Sequence, residues 1–154
     1  MTIHLSTRPA PDLPRELDDF TGAWRFRRKI YDRKLGQESD GQGVLTFAPE
    51  GDGLIYHEVL TLSMPGQPPI EGSRRYRWRP GPRGIEVLFE DGRPFHQLGL
   101  GESRPCDLHP CGEDRYEVTY DFGDWPIWGA TWEVRGPRKD YRMDTLYVRE
   151  KSCR

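Results

Sequence analysis

Apolar and polar residues alternate along most of the chain, a pattern typical of strands that bury one face. In the first such stretch, residues 23–33, Trp24 and Arg28 fall on one face and Arg25 and Arg27 on the other. Segments rich in Gly and Pro, which favour turns, separate the stretches. The alternation predicts further strands over residues 42–48, 54–63, 71–79, 85–91, 114–122, 126–135 and 139–150, and one that begins within 91–98.

About nine short strands with no long crossover predict a single all-β domain. An antiparallel sheet of that size splits into a sandwich or closes on itself, and the even spacing of the strands favours closure. Residues 13–20 predict a short helix with Pro14 in its first turn. We therefore expect a closed antiparallel barrel of eight to ten strands over residues 14–154, after a flexible, Pro-rich arm at residues 1–13.

Composition narrows the classes of partner. The 154 residues carry a net charge of −2, which gives no bulk attraction to nucleic acid or to anionic membranes, and no apolar run is long enough for a membrane span. Only 34% of the residues are hydrophobic but 12% are aromatic, which indicates a core of few, large side chains. Three cysteines without an export signal predict reduced thiols and a cytoplasmic location.

The segment "FTGAW" opens the first strand directly after the predicted helix, and the last strand ends in "TLYVR". This combination resembles the Gly-x-Trp pattern of the lipocalin (calycin) superfamily. The resemblance implies a calycin-like barrel in which Trp24 closes one end and Arg149 packs across its indole. A guanidinium over an indole ring is a favourable cation–π contact, so the pairing is physically sensible.

The whole chain between residues 20 and 149 also resembles DUF6314, a family of bacterial proteins of unknown function. The resemblance implies a bacterial source and no established activity. The matching segments are "FTGAWRFRRKIYD" (20–32), "YHE" (56–58), "RRYRW" (74–78), "DGRPFH" (91–96), "HPCGEDRY" (109–116), "WEVRGPRKDY" (132–141) and "TLYVR" (145–149).

Polar residues fall on the faces that strand parity turns inward. A buried charge is costly unless it is paired or solvated, so these residues predict either internal ion pairs, such as Arg28–Glu58 or Arg74–Asp91, or a wet pocket, and the two are compatible. Aromatic walls with a few polar groups are typical of ligand sites. We therefore expect an interior site for a small polar or anionic molecule, lined by Arg28, Glu58, Arg74, Tyr76, Trp78, Asp91, His96, Tyr120 and Trp128.

An alternative function uses His96 and His109 with nearby carboxylates, as in a barrel enzyme or a haem or metal protein. The spacing of His109 and Cys111 is too tight for a standard chelating pair, and the chain has no Cys-x-x-Cys motif, so the sequence assigns neither a metal ligand set nor a cofactor. No motif names a reaction. The observation that distinguishes this alternative from ligand binding is whether His96 points into the cavity within hydrogen-bond reach of a carboxylate.

Overall fold

Ten antiparallel strands make up most of the computed structural model, which describes residues 12–151. Nearly all of the predicted arm at residues 1–13 lies outside the described residues, as does Cys153, so the arm stays a prediction. The strands are β1 (Gly22–Asp32), β2 (Gln37–Glu50), β3 (Gly53–Ser63), β4 (Ile70–Gly81), β5 (Gly84–Phe89), β6 (Pro94–Gly99), β7 (Cys106–Cys111), β8 (Asp114–Asp124), β9 (Ile127–Arg135) and β10 (Asp140–Arg149).

The strands form one sheet in the order β6-β5-β4-β3-β2-β1-β10-β9-β8-β7. Strands that are consecutive in the chain pair with each other, except β6 and β7, and β1 also pairs with β10. The two outermost strands, β6 and β7, come side by side, and the backbone amide of Gln97 donates to Oδ2 of Asp107 at 2.6 Å across the gap. The sheet is therefore a nearly closed barrel, which confirms the predicted fold.

Burial follows the alternation of the sequence. On β1, Trp24, Phe26 and Arg28 are buried while Arg25 and Arg27 are exposed. The core is correspondingly aromatic, because few but large side chains fill the barrel. The ring of Phe20 lies within 6 Å of the rings of five other aromatic residues.

Two glycines shape the inner face of β2. Gly41 is paired with Arg28, and Gly43 with Phe26. A Cβ on Gly41 would lie 3.4 Å from the Cβ of Arg28, and one on Gly43 would lie 2.8 Å from the ring of Phe26. Glycine therefore lets large side chains of β1 lie across β2, as is common where a barrel bends sharply.

The sequence pattern did not predict one strand, β7. The alternation predicts no strand over residues 99–113, which contain β7. This strand is short and exposed on most positions, and it includes Pro110, so it offers little hydrophobic alternation. Backbone pairing with β8 makes it a strand nonetheless, with Leu108 opposite Glu117.

The end of the barrel at which β1 begins is closed. The predicted helix is present as one 3-10 turn, Leu17–Phe20, which is the only helical segment in residues 12–151 and is far too short to cross a membrane. The indole of Trp24, fully buried, donates to the carbonyl of Phe20 at 2.9 Å. The guanidinium of Arg149 lies 4.2 Å from the Trp24 ring and donates to the carbonyls of Thr21 and Asp19 at 2.9 and 2.7 Å.

Candidate functional site

A cavity of about 480 Å³ opens toward the other end of the barrel, where the turns after β1, β3, β5, β7 and β9 lie. Its innermost wall includes Trp78 and Trp128, whose rings contact Phe20 at the closed end. The volume is within the usual range for small-molecule sites. Its aromatic lining consists of Tyr56, Tyr76, Trp78, Phe89, Phe95, Tyr116, Tyr120, Trp128, Trp132, Tyr141 and Tyr147.

A buried ion pair forms part of one wall. Arg28 on β1 donates from its two terminal nitrogens to the carboxylate of Glu58 on β3, at 2.7 and 3.3 Å. The remaining Nε of Arg28 donates to the hydroxyl of Thr145 at 2.8 Å, and the hydroxyl of Tyr56 donates to Glu58 at 2.5 Å. The two charged side chains are only 4% and 3% exposed, so the pair is satisfied almost entirely by protein.

The same contacts hold Glu58 in its ionised form. Burial by itself would raise the pKa of a carboxyl, but the hydrogen bonds and the charge of Arg28 outweigh it and lower the pKa of Glu58. Burial also raises the pKa of Tyr56 well above its usual value, so this hydroxyl stays protonated and able to donate. Arg28, Glu58 and Tyr56 therefore form a fixed polar network on this wall, and the charges of Arg28 and Glu58 cancel.

On the facing wall, His96 of β6 and Tyr120 of β8 share a hydrogen bond of 2.8 Å between Nε2 and the hydroxyl. In the ring of ten strands, β6 and β8 lie opposite β1 and β3. His96 is 6% exposed, and burial, the largest influence, lowers its pKa to about 3. The imidazole is therefore neutral at physiological pH.

Three residues of the cavity wall hold a buried nitrogen without a hydrogen-bond partner among residues 12–151. They are Nδ1 of His96 and the indole nitrogens of Trp78 and Trp128. Buried polar atoms are almost always satisfied by protein or by ordered water, so unsatisfied ones need an explanation. All three atoms belong to side chains that line the same cavity.

The mouth of the cavity is positively charged. Arg74, Arg93 and Lys139 line the cavity together with the buried Arg28, whereas Glu58 is the only acidic lining residue within residues 12–151. Arg93 pairs with Asp91 at 2.7 Å, and Lys139 approaches Asp114 at 3.6 Å and donates to the hydroxyl of Tyr116. Arg74 stands opposite Glu58 on the next strand, yet has no carboxylate within salt-bridge distance in the described part of the chain.

Flat aromatic surfaces face the cavity from β5, β6 and β9. The rings of Phe89 and Phe95 stack with centroids 4.4 Å apart and an interplanar angle of 17°. Phe95 stacks in turn on Trp132, at 5.2 Å and 18°. The three rings therefore form one aromatic stack along this part of the cavity wall.

Comparison with known proteins gives a family and a fold. The model of a family described as "Family of unknown function (DUF6314)" matches residues 20–149. The chain belongs to the DUF6314 family. Among curated proteins, none matches it. One solved structure that matches is an S-type phycobiliprotein lyase, CPES, from Guillardia theta, with a TM-score of 0.60 and 12% identity over 89% of this chain and 92% of the lyase.

The structure of the DUF6314 protein places eight of the nine expected ligand-site residues on the cavity wall: Arg28, Glu58, Arg74, Tyr76, Trp78, His96, Tyr120 and Trp128. The prediction that Asp91 points inward is wrong. The prediction extended the alternation of β5 by two residues. The strand ends at Phe89, and Asp91 lies exposed in the following turn. There its carboxylate accepts from the backbone amide and the guanidinium of Arg93, so the expected Arg74–Asp91 pair does not form.

The two histidines of the alternative hypothesis, His96 and His109, also line the cavity. His109 and Cys111 line the cavity near its mouth, and His109 packs against the rings of Phe89 and Phe95. The polar partner of His96 is the Tyr120 hydroxyl and not a carboxylate. Nowhere in residues 12–151 do three His, Cys, Asp or Glu side chains come together as a metal-binding group.

Sequence reasoning overlooked several site residues. Phe89 and Tyr147 follow the same alternation as the residues it named, so strand parity alone could have found them. Phe95 is adjacent to His96, and both line the cavity because a bulge interrupts the pairing of β5 with β6, which parity does not predict. Tyr147 stacks on Trp128 with centroids 3.8 Å apart. Arg93 and Lys139 lie in or beside turns, where alternation gives no direction, so only the folded structure brings them to the mouth.

Proposed function

We propose that this DUF6314 protein binds a small anionic molecule with a flat, conjugated body in the barrel cavity. The observation that carries the proposal is Arg74, a guanidinium at the cavity mouth with no carboxylate partner in residues 12–151. A guanidinium presents several donors in a plane that matches a carboxylate or phosphate. The fold positions this group beside an aromatic cavity.

The charge of the lining supports an anion. Arg28 and Glu58 neutralise each other, and His96 is neutral, so Arg74, Arg93 and Lys139 give the cavity an excess of positive charge. The Asp91 and Asp114 carboxylates that approach Arg93 and Lys139 do not line the cavity. Positive groups around the opening of a low-dielectric cleft attract anions and raise their local concentration.

The stacked rings support a flat body. Aromatic rings prefer offset stacking or edge-to-face contact with another ring, and a cavity walled by Phe95, Trp132 and Trp128 offers both. The phycobiliprotein lyase that shares the barrel fold is compatible with a role in handling a small molecule. A binding role is favoured over acid–base chemistry because His96 contacts a hydroxyl, whose raised pKa keeps it protonated.

The experiment compares two rigid aromatic probes, biphenyl-4-carboxylate and the uncharged biphenyl-4-carboxamide, by isothermal titration calorimetry. We expect the carboxylate to bind more tightly, and Arg74→Gln to weaken carboxylate binding by about tenfold or more, as expected for a lost charge-assisted hydrogen bond. The carboxamide should be nearly unaffected. Arg75→Gln is the matched control, because Arg75 is the adjacent residue on the outer face of β4.

Equal affinities for the two probes would contradict the proposed anion site, as would equal losses in Arg74→Gln and Arg75→Gln.

The cytoplasmic location stays a proposal, supported by the free, exposed thiols of Cys106 and Cys111. The bacterial source that the resemblance implied is likewise a prediction.

A further inference from the structure

The ring of His96 is held in one orientation at the inner part of the cavity. Phe95 and Trp132 meet it edge-on, at 4.7 and 5.1 Å between centroids, and Tyr120 lies nearly parallel to it at 5.9 Å. The Tyr120 hydroxyl occupies Nε2. With the ring fixed and one nitrogen engaged, the position of the other nitrogen, Nδ1, is fixed too.

That second nitrogen is buried and has no hydrogen-bond partner in residues 12–151. Leaving a buried polar atom unpaired costs free energy, and a fixed, unpaired group in a cavity wall gains that energy back when a ligand supplies the partner. The indole nitrogens of Trp78 and Trp128, which are also unpaired, belong to the same part of the wall.

The surroundings of His96 disfavour a charged partner. Its ring contacts are Phe95, Trp132 and Tyr120, the Asp107 carboxylate and the His109 imidazole also act on it electrostatically, and the ion pair of Arg28 and Glu58 lies on the facing wall. An isolated charge in an aromatic environment is costly, whereas a hydroxyl, carbonyl or ring nitrogen is accommodated by one hydrogen bond.

The two polar positions are well separated. Trp78 pairs with Val87, and Val87 with His96, so His96 lies in the cross-strand row of Trp78. Along β4, that row is four residues from Arg74 toward the closed end, or about 13 Å at 3.3 Å per residue. A single small group cannot occupy both positions.

We infer that the ligand carries, besides its anionic group, an uncharged hydrogen-bonding group at its far end that contacts Nδ1 of His96. This inference rests on the proposed anion site and adds to it the class of ligand: an elongated, flat anion with a neutral polar group at the end opposite the charge. Arg74 selects the charged end at the mouth, and His96 selects the neutral end inside.

The test uses biphenyl-4-carboxylate and 4′-hydroxybiphenyl-4-carboxylate, which differ only by a hydroxyl at the end remote from the carboxylate. We expect the hydroxylated probe to bind the wild-type protein roughly fivefold to tenfold more tightly, the usual effect of one added hydrogen bond. Equal affinity of the two probes overturns the inference and leaves the anion site standing. If neither probe binds, the anion site fails and the inference fails with it.

Two variants locate the contact. Glutamine places its amide where Nε2 of histidine lies, and asparagine where Nδ1 lies, so His96→Gln should abolish the advantage of the hydroxyl while His96→Asn retains part of it. The readout is the ratio of the affinities for the two probes within each variant, which a merely structural role of His96 would leave as it is in the wild-type protein. Persistence of the full advantage in His96→Gln overturns the inference.

A measurement on the wild-type protein covers the case in which neither variant folds. In ¹⁵N-labelled protein, the Nδ1 resonance of His96 should shift on saturation with the hydroxylated probe and stay in place with the other probe. An unchanged Nδ1 resonance with both probes, at saturation confirmed by calorimetry, overturns the inference.

Discussion

Arg28 and Glu58 form an ion pair with two hydrogen bonds inside the barrel, and the strand between them has glycines at inward positions. The pair joins β1 to β3, and the inward positions of β2 between them include Gly41 and Gly43. A buried pair of this kind gains little over a well-packed apolar pair, but removing one partner leaves an uncompensated charge. The network therefore constrains which substitutions the barrel tolerates.

Removing the Glu58 carboxylate should be strongly destabilising. We expect Glu58→Ala to lower the free energy of unfolding by about 3–5 kcal/mol in urea denaturation, because Arg28 is left buried and unpaired. The control is Asp144→Ala, which breaks the exposed Arg142–Asp144 pair and should cost less than about 1 kcal/mol. Similar losses in the two variants would contradict a buried, protein-satisfied pair.

The stability of the barrel should depend on His96 in mild acid. Its pKa is about 3 in the folded protein and near 6.5 when unfolded, so the unfolded chain binds the extra proton between these values. Stability therefore falls as the pH drops below 6.5, by about 2 kcal/mol at pH 4.5. His96→Gln should lack this part of the slope in urea denaturation measured at a series of pH values, and an unchanged slope would refute the assignment.

Substitutions of Trp24 and Arg149, which lie at the closed end, should differ in their cost to stability. Trp24 is fully buried, so we expect Trp24→Ala to cost about 3–5 kcal/mol in the free energy of unfolding. Arg149 is exposed on one side, and Arg149→Ala should cost about 1–2 kcal/mol through its cation–π contact and two carbonyl hydrogen bonds.

Arg149→Lys tests the geometry of that contact. A single ammonium cannot reproduce the planar fork that reaches the carbonyls of Thr21 and Asp19, so it should recover less than half of the loss seen in Arg149→Ala. Full recovery by lysine in urea denaturation would show that only the positive charge matters there.

Two strand glycines should respond oppositely to a methyl group. A Cβ on Gly43 would clash with the carbonyl oxygen of Val59, so Gly43→Ala should destabilise the protein by about 2–3 kcal/mol. A Cβ on Gly72, in β4, meets nothing within 4 Å, and Gly72→Ala should be neutral or stabilising by about 0.5–1 kcal/mol. Thermal unfolding of the two variants checks the difference, which a uniform response would contradict.

Most of the fold could be predicted because strand parity is a local property. The alternation on β1 and β3 placed Arg28 and Glu58 on the interior, and their pairing followed from the cost of buried charge. The failures came where alternation stops: Asp91 lies past the end of β5, and β7 has too few apolar residues to show a period.

The contact between His96 and Tyr120 could not be predicted from the sequence. His96 and Tyr120 are 24 residues apart and meet because β6 and β8 flank the short strand β7, which the sequence pattern did not predict. That Arg74 forms no salt bridge within residues 12–151 depends in the same way on the whole arrangement of strands, because Glu58 opposite it is paired with Arg28. Local pattern indicates which face a residue occupies, and only the closure of the sheet determines what it faces.

The strand order also bears on how the chain folds. Eight of the nine ladders in the described residues join strands that are consecutive in the chain, and only β1 with β10 joins distant ones. A circular permutant opened between β6 and β7, with the strands β10 and β1 linked by a turn, would keep every ladder and make all nine consecutive. Because lower contact order speeds folding, the native chain should fold more slowly than this rearranged one, with the β1–β10 pairing as its slow step.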